Sequence, residues 1–337
     1  MEVIETCNTT LTFPWPVVTV GMFDGVHLGH RAILQEVLQR SETHGGTSLV
    51  VTFEPHPRRI LHPDVDLRLL TTKREKLIWL ERLGIAVVLL LPFTRKLADT
   101  PPDRFVEEIL LGKCGAKEVI IGYNHRFGKD RAGSFDLLQR FSLGRGFFVN
   151  PVPRVMVDGC PVSSTRIREA LTAGDIALAT QFLGHDYTIV GIVVRGDGRG
   201  KTLGFPTINI AADLEKLLPK DGVYAVWVRH LTGCTSGEVS PGVMNTGTRP
   251  TVDGKRRSLE CHLLDFEGDV YGVEMEVVLV ERLRDERKFN HVQDLIIQIE
   301  KDTNVARHIL RESPPATIDP SLHRTDPPPS AGRQHDG

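Results

Sequence analysis

The sequence predicts an α/β domain built on a parallel sheet, followed by a β-rich module, and three observations carry that prediction. From residue 17 to 149, short β-branched runs alternate with longer amphipathic stretches, the texture of parallel strands joined by crossover helices. After Gly184 the pattern changes to short apolar runs punctuated by Gly, Pro and Asp. The length of 337 residues is more than one ordinary domain of roughly 100–200 residues.

In chain order, strands are expected at 17–20, 48–53, 86–91, 118–121 and 146–149. Between them, residues 32–42, 73–83, 103–111 and 135–141 carry apolar side chains at helical spacing. Two short helices, 163–171 and 175–182, follow, separated by Ala173-Gly174, a helix terminator. The second half shows β runs at 187–194, 223–230, 259–264 and 273–280. A closing helix over 292–310 places Leu295, Ile299, Ala306 and Ile309 on one face. The proline-rich stretch 313–337 has few apolar residues, so burial cannot repay its ordering entropy and disorder is expected.

Composition narrows the function classes. With 40% hydrophobic and 25% charged residues the chain is globular, and 41 basic against 43 acidic residues give no basic excess for nucleic acid. The longest apolar stretch, 85–93, is about half of a membrane span and contains Pro92, so no membrane partner is expected. Glu2 and Glu5 stand where a secretory signal carries bases, which points to the cytoplasm. The five cysteines, Cys7, Cys114, Cys160, Cys234 and Cys261, lie far apart without a CxxC pair, against a disulfide framework or zinc ribbon.

Several motifs have the chemistry of phosphate handling. The first strand runs into Gly21-Met22-Phe23-Asp24-Gly25-Val26-His27-Leu28-Gly29-His30 and then a helix, a turn that lets backbone approach phosphate at a positive helix start. His27 and His30, three apart, can address one anion; a surface pair or metal ligands is the plainer alternative. Ser163-Ser164-Thr165-Arg166-Ile167-Arg168 opens a helix and reads either as an N-cap with surface arginines or as a triphosphate clamp. Phe53-Glu54-Pro55-His56-Pro57 reads as a rigid exit loop, whereas Asn124 and His125 sit after the fourth strand, where open α/β sheets place ligands.

In the second half, Gly196-Asp197-Gly198-Arg199-Gly200-Lys201 is a glycine-rich turn matching neither Walker A nor the Rossmann fingerprint. Thr207 and Asn209 alternate along an extended segment and share a side, offering two oxygen ligands for Mg²⁺ carried by a nucleotide. Glu260 lies in a strongly β segment, where most glutamates face solvent.

The ordered set GMFDGVHLGH, FEPHP, SSTRIREAL, GKTLGFPTINI, GTRPT, ECHLLDF and LRDERKF resembles the bifunctional bacterial riboflavin kinase/FAD synthetase family over roughly residues 17–310. The resemblance implies a Rossmann-like nucleotidyltransferase domain over 1–184, an antiparallel six-stranded β-barrel kinase domain with a C-terminal helix over 185–312, and a tail over 313–337. It implies that the second domain phosphorylates riboflavin with ATP and Mg²⁺, with Glu260 as general base and Thr207 and Asn209 holding the metal and phosphates. The first would adenylylate FMN to FAD, with His27 and His30 stabilising the phosphates. Nucleotide binding would fall to Gly21, Phe23, Asp24, Gly25, Asn124, Ser164, Thr165 and Arg168, and in the kinase to Gly196, Gly198, Gly200 and Lys201. The chain departs from the family pattern at Met22, Ile208 and His125, and the last makes FAD synthesis the step expected to be slow. A single-activity enzyme and a flavin-binding regulator remain alternatives at this level.

Overall fold

The structure, a computed structural model, describes residues 1–5, 11–196, 199–251 and 254–315. Gly198, Cys7 and the tail beyond 315 lie outside the described residues. Strands β1 (Glu2–Ile4), β2 (Pro16–Val20), β3 (Thr47–Glu54), β4 (Val87–Pro92), β5 (Glu118–Gly122) and β6 (Phe148–Val152) form one sheet in the order β1-β4-β3-β2-β5-β6. Every pairing in it is parallel. The central strands are apolar on both faces because both are covered. Leu49 and Leu89 pack with Phe105 and Ile109 on one side, whereas Val50 and Val88 pack with Leu34 and Leu80 on the other. The edge strand β1 is too short to show a pattern in sequence. β6 starts two residues beyond the expected strand because Gly144 and Gly146 turn with φ of 77° and 71°.

The strand order places the site. The chain steps outward from β2 to β3 and β4, then returns to add β5 against the free edge of β2. The switch point therefore lies between β2 and β5, and their carboxyl ends lead into the Gly21–Gly25 and Gly122–Gly128 turns, where such sheets bind ligands.

After a small ribbon of β7 (Met156–Val157) and β8 (Cys160–Pro161), six strands close an antiparallel barrel in the order β10-β13-β12-β11-β14-β9. They are β9 (Tyr187–Val194), β10 (Ile208–Ala212), β11 (Gly222–His230), β12 (Val239–Thr251), β13 (Gly254–Leu263) and β14 (Glu274–Arg284). Tyr187, Ile189, Tyr224, Val226, Met244, Cys261 and Val277 belong to its buried core. Sequence reasoning missed β12, whose Ser240-Pro241-Gly242 and Gly247 break the strand pattern. The closing helix Val292–Glu312 seals one outer face with Ala306 and Leu310 against Ala225.

The two folds share a seam. Helices Ser164–Ala173 and Ile176–Leu183, joined at left-handed Gly174, place Ile167, Leu171 and Phe182 in the same core cluster as the barrel. Gly184 ends the second at φ 73°, and a Cβ there would lie 2.2 Å from Leu28 Cδ2, so only glycine fits. Across the seam Lys216 meets Glu75 at 2.7 Å, and Arg82 makes two 2.6 Å bonds to Glu276. No helix among the described residues is long and apolar enough to cross a membrane. Cys160, Cys234 and Cys261 are free thiols.

Candidate active sites

The first site is built where β2 ends. The turn after Gly21 passes through Phe23 and Gly25, both at positive φ, before the helix Leu28–Thr43 starts. His27 caps that helix, its Nδ1 accepting from the His30 backbone N–H at 3.3 Å, which leaves the ring proton on Nε2. The rings of His27 and His30 stack at 3.6 Å, and the ring of buried Phe23 meets His30 edge-on at 5.3 Å. Burial lowers His27 to about 4, although the nearby Asp24 charge opposes it. Burial, then His27, holds His30 well below its ordinary value. Both imidazoles are therefore neutral at pH 7 and act as hydrogen-bonding groups. His30 Nδ1 is buried with no partner among the described residues, a state that a bound ligand would relieve.

Ser163 takes the cap of the helix Ser164–Ala173, accepting from Arg166 N at 3.4 Å, which leaves the Ser164 hydroxyl to donate to the Asp24 carbonyl at 3.1 Å. Arg168 forms an ion pair with the Asp24 carboxylate and donates through Nε to the Arg68 carbonyl at 3.0 Å. Asp24 Oδ1 also accepts from Thr71 N at 3.0 Å, so this carboxylate fixes Arg168 and the turn together. Asp24, His30, Ser164, Thr165 and Arg168 line one cavity of about 250 Å³.

The same cavity is lined by Arg58 and by His56, whose segment reads in sequence as a rigid exit loop. His56 caps the helix Pro57–Leu61 through Nδ1, accepting from Arg58 N at 3.1 Å, and burial lowers it to about 4. It thus repeats the helix-capping arrangement of His27, which is buried behind His30 and does not itself line the cavity. Asn124 is exposed on the neighbouring turn, where its amide oxygen accepts from Arg154 Nε at 2.9 Å. His125 is half-buried beside Phe127, its Nε2 has no partner among the described residues, and burial brings it to about 4.

The second site lies on the outer face of the barrel. Cross-strand register sets Glu260 of β13 opposite Asn209 of β10 on one side and Asn245 of β12 on the other. Their neighbours Ile210, Met244, Leu259 and Cys261 are buried inside, so strand alternation turns all three polar side chains outward, where each is half-buried. Glu260 thus faces outward, as expected of a strand glutamate, and register sets an asparagine on each side of it. Asn245 lay inside the missed β12, and its position two residues before Gly247 was the available signal.

Glycines bring the remaining parts in. A Cβ on Gly196 would fall 2.0 Å from Asn209 Nδ2, and one on Gly200 would fall 3.0 Å from Thr207 Oγ1. The glycine-rich turn therefore lies directly against Thr207 and Asn209; the Lys201 side chain lies outside the described residues. His262, on the same face as Glu260, bonds through Nδ1 to the Pro206 carbonyl at 2.8 Å and so anchors the residue before Thr207. A Cβ on Gly247 would meet Glu286 Oε1 at 2.4 Å, which joins the GTRPT and LRDERKF segments. A larger cavity of about 680 Å³ opens where β10 parts from β13; Asn209 borders it, but Thr207 and Glu260 do not.

An open parallel sheet with a cleft at its switch point, followed by a closed barrel presenting a carboxylate between two amides, defines a two-domain nucleotide-using transferase. Residues 14–166 match the FAD synthetase family and residues 183–310 match the riboflavin kinase family. The bifunctional riboflavin kinase/FMN adenylyltransferase of Escherichia coli (strain K12) is 40% identical over 301 residues, covering 89% of this chain and 94% of that protein. The protein of the same description from Bacillus subtilis (strain 168) is 36% identical over 294 residues, 86% of this chain and 91% of that one. A solved structure described as a macrolide-efflux protein from Streptococcus pneumoniae overlays with a TM-score of 0.81 and 29% identity, covering 91% of this chain and 99% of that chain. The chain belongs to the bifunctional riboflavin kinase/FMN adenylyltransferase family.

Proposed function

We propose that this chain phosphorylates riboflavin with ATP to give FMN, within residues 185–312, and then adenylylates FMN with a second ATP to give FAD and pyrophosphate, within residues 1–184. The observation that supports this division is that each fold gathers its own motif residues at one place, Asp24, His30, Ser164, Thr165 and Arg168 around one cleft and Asn209, Asn245 and Glu260 across three strands.

In the kinase, Glu260 takes the proton from the ribityl hydroxyl as that oxygen bonds to the γ-phosphorus and ADP departs. The Thr207 hydroxyl and Asn209 carbonyl oxygen are hard donors of the kind Mg²⁺ accepts, and together with ATP phosphates they would hold it. The bound ion supplies charge neutralisation at those phosphates. The turn carrying Gly196, Gly198, Gly200 and Lys201 covers the phosphates.

In the adenylyltransferase, an FMN phosphate oxygen bonds to the α-phosphorus of ATP while the bond to the β-phosphate oxygen breaks. FMN is already a phosphate nucleophile, so the protein need only position and stabilise. The Nε2–H of His27 and the ring of His30 donate to phosphate oxygens, Arg168 supplies positive charge, and Ser164 and Thr165 orient the triphosphate; Gly21, Phe23, Asp24 and Gly25 shape the turn and Asn124 closes the neighbouring side. Partners are the small molecules riboflavin, FMN and ATP, and a cytoplasmic location suits two ATP-consuming steps.

Chromatography of flavin products from riboflavin, ATP and Mg²⁺ tests the reading. The unaltered chain is expected to give FMN and then FAD. His27→Ala with His30→Ala should stop at FMN, whereas Glu260→Ala should make no FMN yet convert supplied FMN to FAD. FMN that accumulates without FAD in the unaltered chain would overturn the adenylyltransferase half.

A further inference from the structure

A buried lysine beneath the adenylyl site has no part in the chemistry so far. Lys76, on the inward side of the helix Lys73–Arg82, is 4% exposed. Its ammonium donates to Thr52 Oγ1 at 3.3 Å, and the Thr52 hydroxyl in turn donates to the Met22 carbonyl at 3.5 Å. Met22 and His30 border the cavity, so Lys76 sits behind its wall. An ammonium carries three donors, and burying one at such a place is costly unless negative charge answers it. Burial lowers its proton affinity, and the Glu54 and Asp24 carboxylates oppose that shift.

We propose that Lys76 is an electrostatic positioning residue for adenylyl transfer, whose fixed charge, held against Thr52 behind Met22 and His30, keeps the potential of the cleft positive toward ATP. This rests on the adenylyltransferase reading above. Lys76 is one of several groups that the cleft imidazoles feel. His30 is held down by burial, then by His27, Lys76 and His125. His56 is held down by burial and feels Lys76, Arg168 and Arg58 against the opposing pull of Asp24. Behind a buried wall a fixed cation acts on charge in the cleft with little screening and no reorganisation.

The test uses the full chain, with FMN formation from riboflavin as an internal measure of folding. Lys76→Met and Lys76→Gln both remove the charge, and the glutamine can still donate to Thr52. Both are expected to lower kcat for FAD formation by about tenfold or more, with ATP KM changed less. Their acid limb should also move to higher pH, because His30 and His56 regain protons more easily. Thr52→Val removes the hydrogen bond and keeps the charge, and should stay within about threefold of the parent. FAD formation at the parent rate and pH profile in Lys76→Gln would overturn the proposal, as would a Thr52→Val variant as slow as Lys76→Met. Absence of FAD from the unaltered chain would instead sink the adenylyltransferase reading itself.

Discussion

Replacing Lys216 by methionine removes an ammonium from the seam between the sheet domain and the barrel. Lys216 is 3% exposed and Glu75 1%, and breaking such a buried pair by taking away one partner costs about 3–5 kcal/mol. The Glu75 carboxylate would keep two backbone donors, Thr72 N at 2.9 Å and Val190 N at 2.8 Å, which places Lys216→Met near the lower end, about 3 kcal/mol. Glu75→Leu should cost more. It strips the Thr72 capping box and leaves the ammonium with the Leu70 carbonyl at 2.6 Å and the Tyr187 ring at 4.2 Å. Combining the two changes should cost less than the sum of the singles, since neither charge is then stranded. Denaturant unfolding followed by tryptophan fluorescence reads all three variants, because Trp79 lies at this seam against His185 with ring centroids 3.9 Å apart. A Lys216→Met loss under about 1 kcal/mol, or a Glu75→Leu variant more stable than Lys216→Met, would refute the argument.

Two further outcomes are expected. Gly196→Ala puts a methyl 2.0 Å from Asn209 Nδ2, so the amide must swing away; FMN formation should fall at least tenfold while FAD formation from supplied FMN holds, as product chromatography will show. Acid should destabilise the fold in a defined window. His27, His56, His125 and His185 stand at about 4 in the folded chain against 6.5 in the unfolded one, so between those values the unfolded chain binds protons that the native chain refuses. Their contribution is fully present above about pH 6.5 and is lost as pH falls toward 4, up to roughly 3 kcal/mol for His27 alone. Unfolding free energies measured from pH 7 to 5 should decline, and a flat profile would contradict the burial of these rings.

What the sequence revealed depended on how locally each feature is encoded. The period-two and period-3.6 patterns of buried strands and long helices were legible because neighbours in sequence share a face, and β9 fell at the expected residues, 187–194. β12 was hidden by Pro241, Gly242 and Gly247, whose tolerance comes from barrel neighbours and not from local propensity. Glu260 was legible as a residue type, but its two flanking amides are a property of register, which single-strand patterns do not carry. His56 was hidden for a similar reason: its role follows from β3 ending beside the switch point, while locally it is a histidine between two prolines. Lys76 stands in a helix read only by its apolar spacing, and its contact with Thr52 comes from the topology.

The seam carries contacts across the boundary proposed at Gly184. The segment Leu69–Thr72 serves both sides at once: the Leu70 carbonyl accepts from Lys216, Thr71 binds Asp24 of the adenylyl cleft, and Thr72 caps the helix that carries Glu75 and Lys76. Cutting the chain at 184 would strand Glu75 without its ammonium and expose Leu171 and Phe182, which are packed in the barrel's core cluster. Asp24 would keep Arg168 but lose the barrel-held backing of the segment that orients it. The position of a charge in the adenylyl cleft thus depends on a lysine from the kinase half. That dependence is a physical reason for both steps to stay on one chain, whether or not FMN passes directly between them.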